Sequence, residues 1–181
     1  LTDLGIFEVT VGGDARHSTP RIKEAAIAGL REVGVSVIDI GLVSSPCFYW
    51  SLYPFGVEGG IMVTGSHNPK EFNGLKLALG KMTLWGDEIQ EVYRIIAENR
   101  FAKTEHKGNL RFEEINAPYI DMLVSKITLG PKKLKVVLDS GNGTGGLYGP
   151  EMVRRIGCEV VELFSEPNGD FPNHHPDPTK R

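Results

Sequence analysis

The residues best equipped for chemistry lie in one hexapeptide, Thr64-Gly65-Ser66-His67-Asn68-Pro69, directly after the apolar run Gly60-Ile61-Met62-Val63. A hydroxyl nucleophile stands where a buried strand stops, an imidazole follows, and Asn68-Pro69 turns the chain away. Strand ends in α/β folds are where ligands are commonly handled. The pattern is not that of a hydrolase. A nucleophile elbow carries Gly at both second neighbours of the serine, and here Thr64 and Asn68 hold those places. Nor does adjacency make Ser66 and His67 a dyad, since neighbouring side chains in extended chain point to opposite faces. A polar turn with a surface serine accounts for the residue types equally well. Two cations favour phosphate chemistry. Lys76 interrupts the strand pattern Gly74-Leu75-Lys76-Leu77-Ala78-Leu79, and the Phe72-Asn73-Gly74 turn brings it back towards Ser66. Arg16 follows the first strand at the equivalent edge of the sheet. A lone strand lysine usually faces solvent, but two cations around a hydroxyl suit a phosphoryl group.

A second signal competes with the first. Gly141-Asn142-Gly143-Thr144-Gly145-Gly146 has the form G-x-G-x-x-G, follows an apolar strand and precedes a helix, and Glu162 stands about 20 residues on. This is the form of a dinucleotide-binding fingerprint. Against it, Asp139-Ser140 places an acid where a pyrophosphate should lie, and the unit starts only at Leu134, late for a complete dinucleotide domain. His174-His175-Pro176-Asp177 reads as a rigid polar turn rather than a metal site. His17 and His106 read as surface or loop residues.

The elements that must position these groups alternate in type. Strands are expected over 7–11, 35–40, 60–63, 74–79, 134–138 and 160–164. Helices are expected from Ser18 or Thr19, as cap, to about Val33, and over 45–53, 87–99, 114–127 and 150–156. In the helix over 87–99, Ile89, Val92, Tyr93 and Ile96 should face inward. The stretch before residue 114 reads as a polar loop. Strands alternating with helices imply an α/β protein with a mixed, mostly parallel sheet covered by helices. Gly130-Pro131-Lys132-Lys133 marks a joint, which divides the chain into 1–130 and 131–181. The run from Leu30 to Ile40 lines up with that from Val153 to Leu163: a helix end, a Gly stop, then a strand with an acid at the same place. The second unit is therefore the incomplete start of a similar α/β domain.

Bulk properties exclude several classes. A chain of 181 residues can bury a substantial core. A net charge of −3 argues against an extended nucleic-acid or anionic-membrane surface. No apolar run approaches the ~18 residues of a membrane span, and the first residues do not read as a signal peptide. Cys47 and Cys158 match no metal or redox spacing and read as small buried hydrophobes in a reducing compartment, so the cytoplasm is the expected location. The chain opens on Leu1 rather than Met and stops in a Pro-rich polar run, and it is expected to be a piece of a longer protein.

Taken together, Thr64-Gly65-Ser66-His67-Asn68-Pro69 followed by Phe72-Asn73-Gly74-Leu75-Lys76 closely resembles the phosphoserine loop of the α-D-phosphohexomutases. The 12–16 loop is similar to that family's first-domain Gly-Arg-Asp-Gly-Arg segment, and 139–143 to the opening of its second domain. Phe171-Pro172-Asn173-His174-His175-Pro176-Asp177-Pro178 resembles the phosphomannomutase/phosphoglucomutase branch in particular. The resemblance implies a four-domain enzyme that moves a phosphoryl group between the 1- and 6-hydroxyls of a hexose, mannose or glucose, through a phosphoserine and a sugar bisphosphate. It assigns the phosphate to Ser66, proton transfer and phosphoryl holding to Lys76 and Arg16, and a polar supporting role to His67. It also implies Mg2+, bound to Ser66 through its phosphate and to an Asp-Gly-Asp-Gly-Asp loop of a third domain. Hexose 1,6-bisphosphate would be the activator, with a phosphosugar as partner and neither nucleic acid nor membrane. Gly13 and Ala15 replace the family's first Arg and its Gly, the usual Tyr-Asp-Ile-Arg-Gly start is missing, and the aspartate loop and the fourth-domain loop lie outside this sequence. The 181-residue piece alone is accordingly expected to be inactive. The competing readings are an NAD(P)-binding oxidoreductase using Gly141 to Gly146, and a non-catalytic piece that binds phosphosugars or a partner.

Overall fold

Strand β1 (Glu8–Gly13) lies at the centre of the first lobe because its valines alternate with small and polar residues, so each face can be covered. The computed structural model describes residues 1–177 and Thr179, which leaves Pro178, the end of the last motif quoted above, outside the described residues. Parallel neighbours β2 (Ser36–Leu42) and β3 (Gly59–Val63) flank β1, and β4 (Leu75–Leu79) runs antiparallel to β3. Two short edge strands, β5 (Met82–Thr83) and β6 (Leu110–Phe112), complete a six-stranded sheet of order β5-β4-β3-β1-β2-β6. Strand β6 lies in the stretch read above as a polar loop. Three residues give too short a period-2 signal to be seen, and pairing with β2 makes the strand.

The two faces of this sheet have different covers. Val9, Val11 and Val37 face helix α1 (Thr19–Glu32), with Ile27 buried among them. Ile38, Ile40, Met62 and Ala78 face α2 (Ser45–Ser51) and α4 (Asn116–Ser125), whose Phe48, Tyr119 and Ile120 close the core. Close approach of α2 needs a bare strand beneath it: a Cβ on Gly60 would come within 2.7 Å of the Phe48 ring. Helix α3 (Asp87–Ala97) departs from expectation. Tyr93 is 66% and Ile96 59% exposed, and no α3 residue is buried. The helix follows the edge strand β5, where no further layer of the described residues lies against it, so its apolar stripe faces outward.

The second lobe opens with β7 (Lys135–Asp139), passes through a 3-10 turn (Thr144–Leu147) and α5 (Gly149–Arg155), and returns as β8 (Glu159–Leu163), parallel to β7. Leu138 packs on α5, whereas Val137 is 63% exposed on the other face. The expected repeat is present in the backbone. In one copy the Gly34 N–H donates to the Arg31 carbonyl and that of Val35 to Leu30. In the other the Gly157 N–H donates to Arg154 and that of Cys158 to Val153. Both glycines have positive φ, 84° and 102°, which is the geometry of a Schellman helix stop.

Tyr148 ties the lobes together. Its ring packs edge-on against Tyr119 with centroids 5.3 Å apart. Its hydroxyl donates to Asn116 Oδ1 at 2.6 Å and accepts the Ser44 N–H at 3.1 Å. Burial pushes the Tyr148 phenol far above its ordinary range, so it stays a neutral donor. The same burial pushes the neighbouring Cys47 thiol up to about 11, in keeping with a cysteine acting as a small hydrophobe. Cys158 is half-buried. No helix among the described residues is long and apolar enough to cross a membrane. Tyr148→Phe leaves two half-buried polar partners without the hydroxyl, and the expected cost is about 1 kcal/mol of stability, read from the denaturant midpoint.

Candidate active site

The serine loop is built on Asp14, a residue that the sequence pattern did not single out. Its Oδ1 accepts the Thr19 hydroxyl at 2.6 Å and the Arg16 backbone N–H at 3.1 Å. Its Oδ2 accepts the Thr64 hydroxyl at 2.8 Å, the Gly65 N–H at 3.2 Å and Arg16 Nε–H at 3.1 Å. The end of β1 is thereby fastened to the end of β3. Thr64 Oγ1 in turn accepts the Ser66 N–H at 2.9 Å.

Arg16 is 1% exposed and lies underneath the loop. Nη1 donates to the carbonyls of Pro69 at 2.7 Å and Phe72 at 3.1 Å, and Nη2 to those of Ser66 at 2.9 Å and Asn68 at 2.8 Å. With Nε–H on Asp14, all five guanidinium N–H groups are engaged. Arg16 thus spends its donors on Asp14 and on the loop's own backbone carbonyls. Gly65 makes this possible, because a Cβ there would come within 2.5 Å of Arg16 Nε. Asn73 fastens the far end of the loop, its Nδ2 donating to the hydroxyls of Ser18 and Thr19 at 2.9 Å each. Ser18 stands at the N-cap of α1 without making a side-chain cap bond, since its hydroxyl faces Asn73 instead.

The result is a serine held in a left-handed conformation. Ser66 has φ 54°, uncommon outside glycine, and is exposed at the strand end while its N–H and C=O are both bonded. Ser66 and His67 open onto a cleft of about 320 Å³ whose other wall is the Gly loop of the second lobe together with Phe171, His174 and His175. His67 Nδ1 faces the Pro176 carbonyl at 3.3 Å. Lys76 pairs in register with Met62, so its side chain lies on the α2 face, where Nζ donates to Ser45 Oγ at 3.2 Å. The residues lining the Ser66 cleft do not include Lys76.

The Gly loop is filled by its own chain rather than shaped for a dinucleotide. A Cβ on Gly146 would overlap the Ser165 carbonyl, and one on Gly141 would come within 2.8 Å of His174. Asn142, 6% exposed, holds the returning segment: its N–H donates to the Phe164 carbonyl and its Nδ2 to Glu166 O at 2.9 Å, while its Oδ1 accepts from Asn173 at 2.7 Å. Glu162, the would-be ribose ligand, is paired with Arg154. The glycines serve close packing, and the oxidoreductase reading loses its site.

His174 lies between two acceptors, with Nδ1 3.0 Å from the His175 carbonyl and Nε2 3.0 Å from Asp139 Oδ1. Both ring nitrogens must donate to satisfy both contacts, so the His175 carbonyl and then Asp139 raise its pKa above the ordinary 6.5. The His174 bond, followed by the Gly141 N–H, lowers Asp139 below its ordinary 3.8. The His contribution is complete below pH 6.5 and is lost as pH rises through the raised value. The Asp contribution is complete above pH 3.8 and is lost as pH falls through the lowered one. The thermal midpoint of wild type should therefore exceed that of His174→Gln most between pH 3.8 and 6.5. The gap should narrow in a melting series carried to higher pH. Arg16→Ala, which leaves Asp14 and four carbonyls without their cation, is expected to cost about 3–5 kcal/mol in chemical denaturation. Arg16→Lys should recover only part of this, because an ammonium lacks the planar fork.

Comparison with known proteins finds relatives over nearly the whole chain. Residues 5–103 match the family model of phosphoglucomutase/phosphomannomutase alpha/beta/alpha domain I. Residues 117–181 match that of domain II, which begins within α4, ahead of the joint expected at 130–133. The chain is 38% identical over 178 residues to a phosphoglucomutase of Neisseria gonorrhoeae, covering 98% of this chain and 38% of that protein. It is 41% identical over 172 residues to a phosphomannomutase/phosphoglucomutase of Pseudomonas syringae pv. tomato, covering 95% and 36%. A phosphoglucomutase/phosphomannomutase family protein of Burkholderia thailandensis superposes with a TM-score of 0.91 at 38% identity, over 99% of this chain and 40% of that one. The chain thus spans well under half the length of these relatives. With the first model alone matched over more than half of its residues, the chain belongs to the phosphoglucomutase/phosphomannomutase family.

Proposed function

We propose that the whole protein interconverts hexose 1-phosphate and hexose 6-phosphate, with glucose or mannose as the sugar, by way of a phosphoserine at Ser66. The observation that carries this reading is Ser66 itself. It stands at a strand end with its backbone bonded on both sides and its side chain open to the cleft between the lobes. A group that must be loaded, read by a sugar phosphate and reloaded needs such rigidity and access. The names of the relatives agree.

In this reading the Ser66 phosphoryl group passes to the free hydroxyl of a bound sugar monophosphate. The bond from phosphorus to Ser66 Oγ breaks, a bond to the sugar oxygen forms, and the proton given up by the sugar hydroxyl is balanced by one taken up at Ser66 Oγ. The resulting bisphosphate reorients and returns its other phosphoryl group to Ser66 Oγ. The family resemblance assigns the proton movement to Lys76, whose Nζ would have to leave Ser45 Oγ to reach the cleft, and His67 orients groups beside Ser66. Arg16 keeps the serine loop in shape from below. Hexose 1,6-bisphosphate acts as activator because it can load an empty Ser66.

Mg2+ fits these residues only in part. Among the described residues no group of three or more His, Cys, Asp or Glu can hold a metal ion. This sequence would supply one ligand, an oxygen of the Ser66 phosphate, and the carboxylates would come from outside it. When bound, the ion offsets charge on the transferring group. The reading puts the protein in the cytoplasm, acting on phosphosugars and on neither nucleic acid nor membrane.

The test begins with the intact mass of the full-length protein, which should carry one phosphoryl group that Ser66→Ala loses. Interconversion of glucose 1- and 6-phosphate with Mg2+ and a trace of bisphosphate should fall by about 1000-fold or more in that variant. Residues 1–181 alone should show no measurable turnover. A phosphate-free wild type that still bound phosphosugars would leave the non-catalytic reading standing.

A further inference from the structure

Residues 168–177 belong to the second lobe, yet they lie across both first-lobe loops that build the serine site. Gly169 passes so close to the first loop that a Cβ would come within 2.5 Å of the Ala15 carbonyl. The Asp170 carboxylate bridges Lys70, at 3.1 Å, and His17, at 3.2 Å. The Phe171 ring lies over the Arg16 guanidinium, with the centroid 5.3 Å from Cζ.

Phe171 has φ 48°, where a bulky side chain is strained. Such a conformation persists only where its surroundings fix it. Here the Phe171 N–H donates to the Asn168 carbonyl, and the Asn168 N–H donates to the carbonyl of Asn142. On the other side of Phe171, Asn173 donates to Asn142 Oδ1. A buried asparagine of the Gly loop therefore holds the chain on either side of Phe171 and presents its ring to Arg16. An aromatic face over a desolvated guanidinium is attractive and also keeps water from competing for its N–H groups.

We propose that Phe171 is a positioning residue for phosphoryl transfer at Ser66. By covering Arg16 from the second lobe, it holds the four loop carbonyls on the guanidinium and so fixes the backbone of the serine. This rests on the phosphoserine reading given above.

The test uses Phe171→Gly and Phe171→Tyr in the full-length protein. Glycine removes the ring and also relieves the positive-φ strain, so a loss of function cannot be put down to a strained backbone. Phe171→Gly should load phosphate on Ser66, keep its apparent KM within about twofold and lose roughly 10- to 100-fold in kcat. Phe171→Tyr, which keeps the ring, should stay within about twofold of wild type. Amide hydrogen exchange gives a readout independent of turnover. The N–H groups of Ser66, bonded to Thr64 Oγ1, and Asn68, bonded to the Gly65 carbonyl, should exchange faster in Phe171→Gly alone. Wild-type kcat in phosphorylated Phe171→Gly, wild-type exchange at both amides, or a tyrosine variant as slow as the glycine one each overturns the proposal. A wild-type protein without phosphoserine overturns the phosphoserine reading instead, and the exchange comparison then decides whether the ring fixes the loop.

Discussion

Everything at the serine site depends on one buried cation. The Arg16 guanidinium is out of contact with water, and each of its N–H groups is matched to an oxygen that the fold brings to it. Burying a charge this completely is unfavourable unless the partner set is complete. The partner set, however, is scattered over the chain: Asp14 comes from the end of β1, and the four carbonyls come from the loop between β3 and β4. The loop therefore cannot adopt another shape without leaving either the cation or the carbonyls unpaired. This gives the serine loop a rigidity that its composition of small and polar residues would not supply.

The second lobe contributes from the opposite side. Among the described residues its sheet comprises β7 and β8, and it shares a core with the first lobe through Tyr148, Tyr119 and Ile120. The loop after β7 is spent on holding the returning chain, through Asn142, and that chain reaches back over the serine loop. Each lobe thus completes the other. The two βαβ units share the same helix stop, but the acids that correspond in the repeat have different surroundings. Asp39 is buried against Lys23 under α1, and Glu162 is exposed beside Arg154.

The strands, helices and mixed sheet were legible in the sequence because most elements carry their own periodicity and their own stops. Strand β6 and the outward stripe of α3 were not, since both depend on where the sheet happens to end. The serine loop was legible as a place for chemistry, but the function of its neighbours was less so. Arg16 looked like a ligand for the phosphoryl group because charge near a hydroxyl suggests attraction, and residue type does not reveal that every donor is already taken. Asp14 escaped notice because its role is spread over five bonds, two of them to Thr64 and Gly65 some 50 residues away. The Gly-rich run matched a dinucleotide pattern because that pattern records the need for close approach, not what approaches. Here it is Ser165 and His174.

The inward turn of the loop carbonyls has an electrostatic consequence. A trans peptide unit is planar, with its C=O and the following N–H pointing in opposite directions. With the oxygens of residues 66, 69 and 72 drawn down onto Arg16, the N–H groups of His67, Lys70 and Asn73 are aimed away from it. Arg16 touches nothing outside the fold, yet it orients a set of peptide dipoles whose positive ends lie towards the outside of the loop. The buried charge is relayed to the surface as partial charges fixed in place, a field suited to an anion and needing no side chain to move.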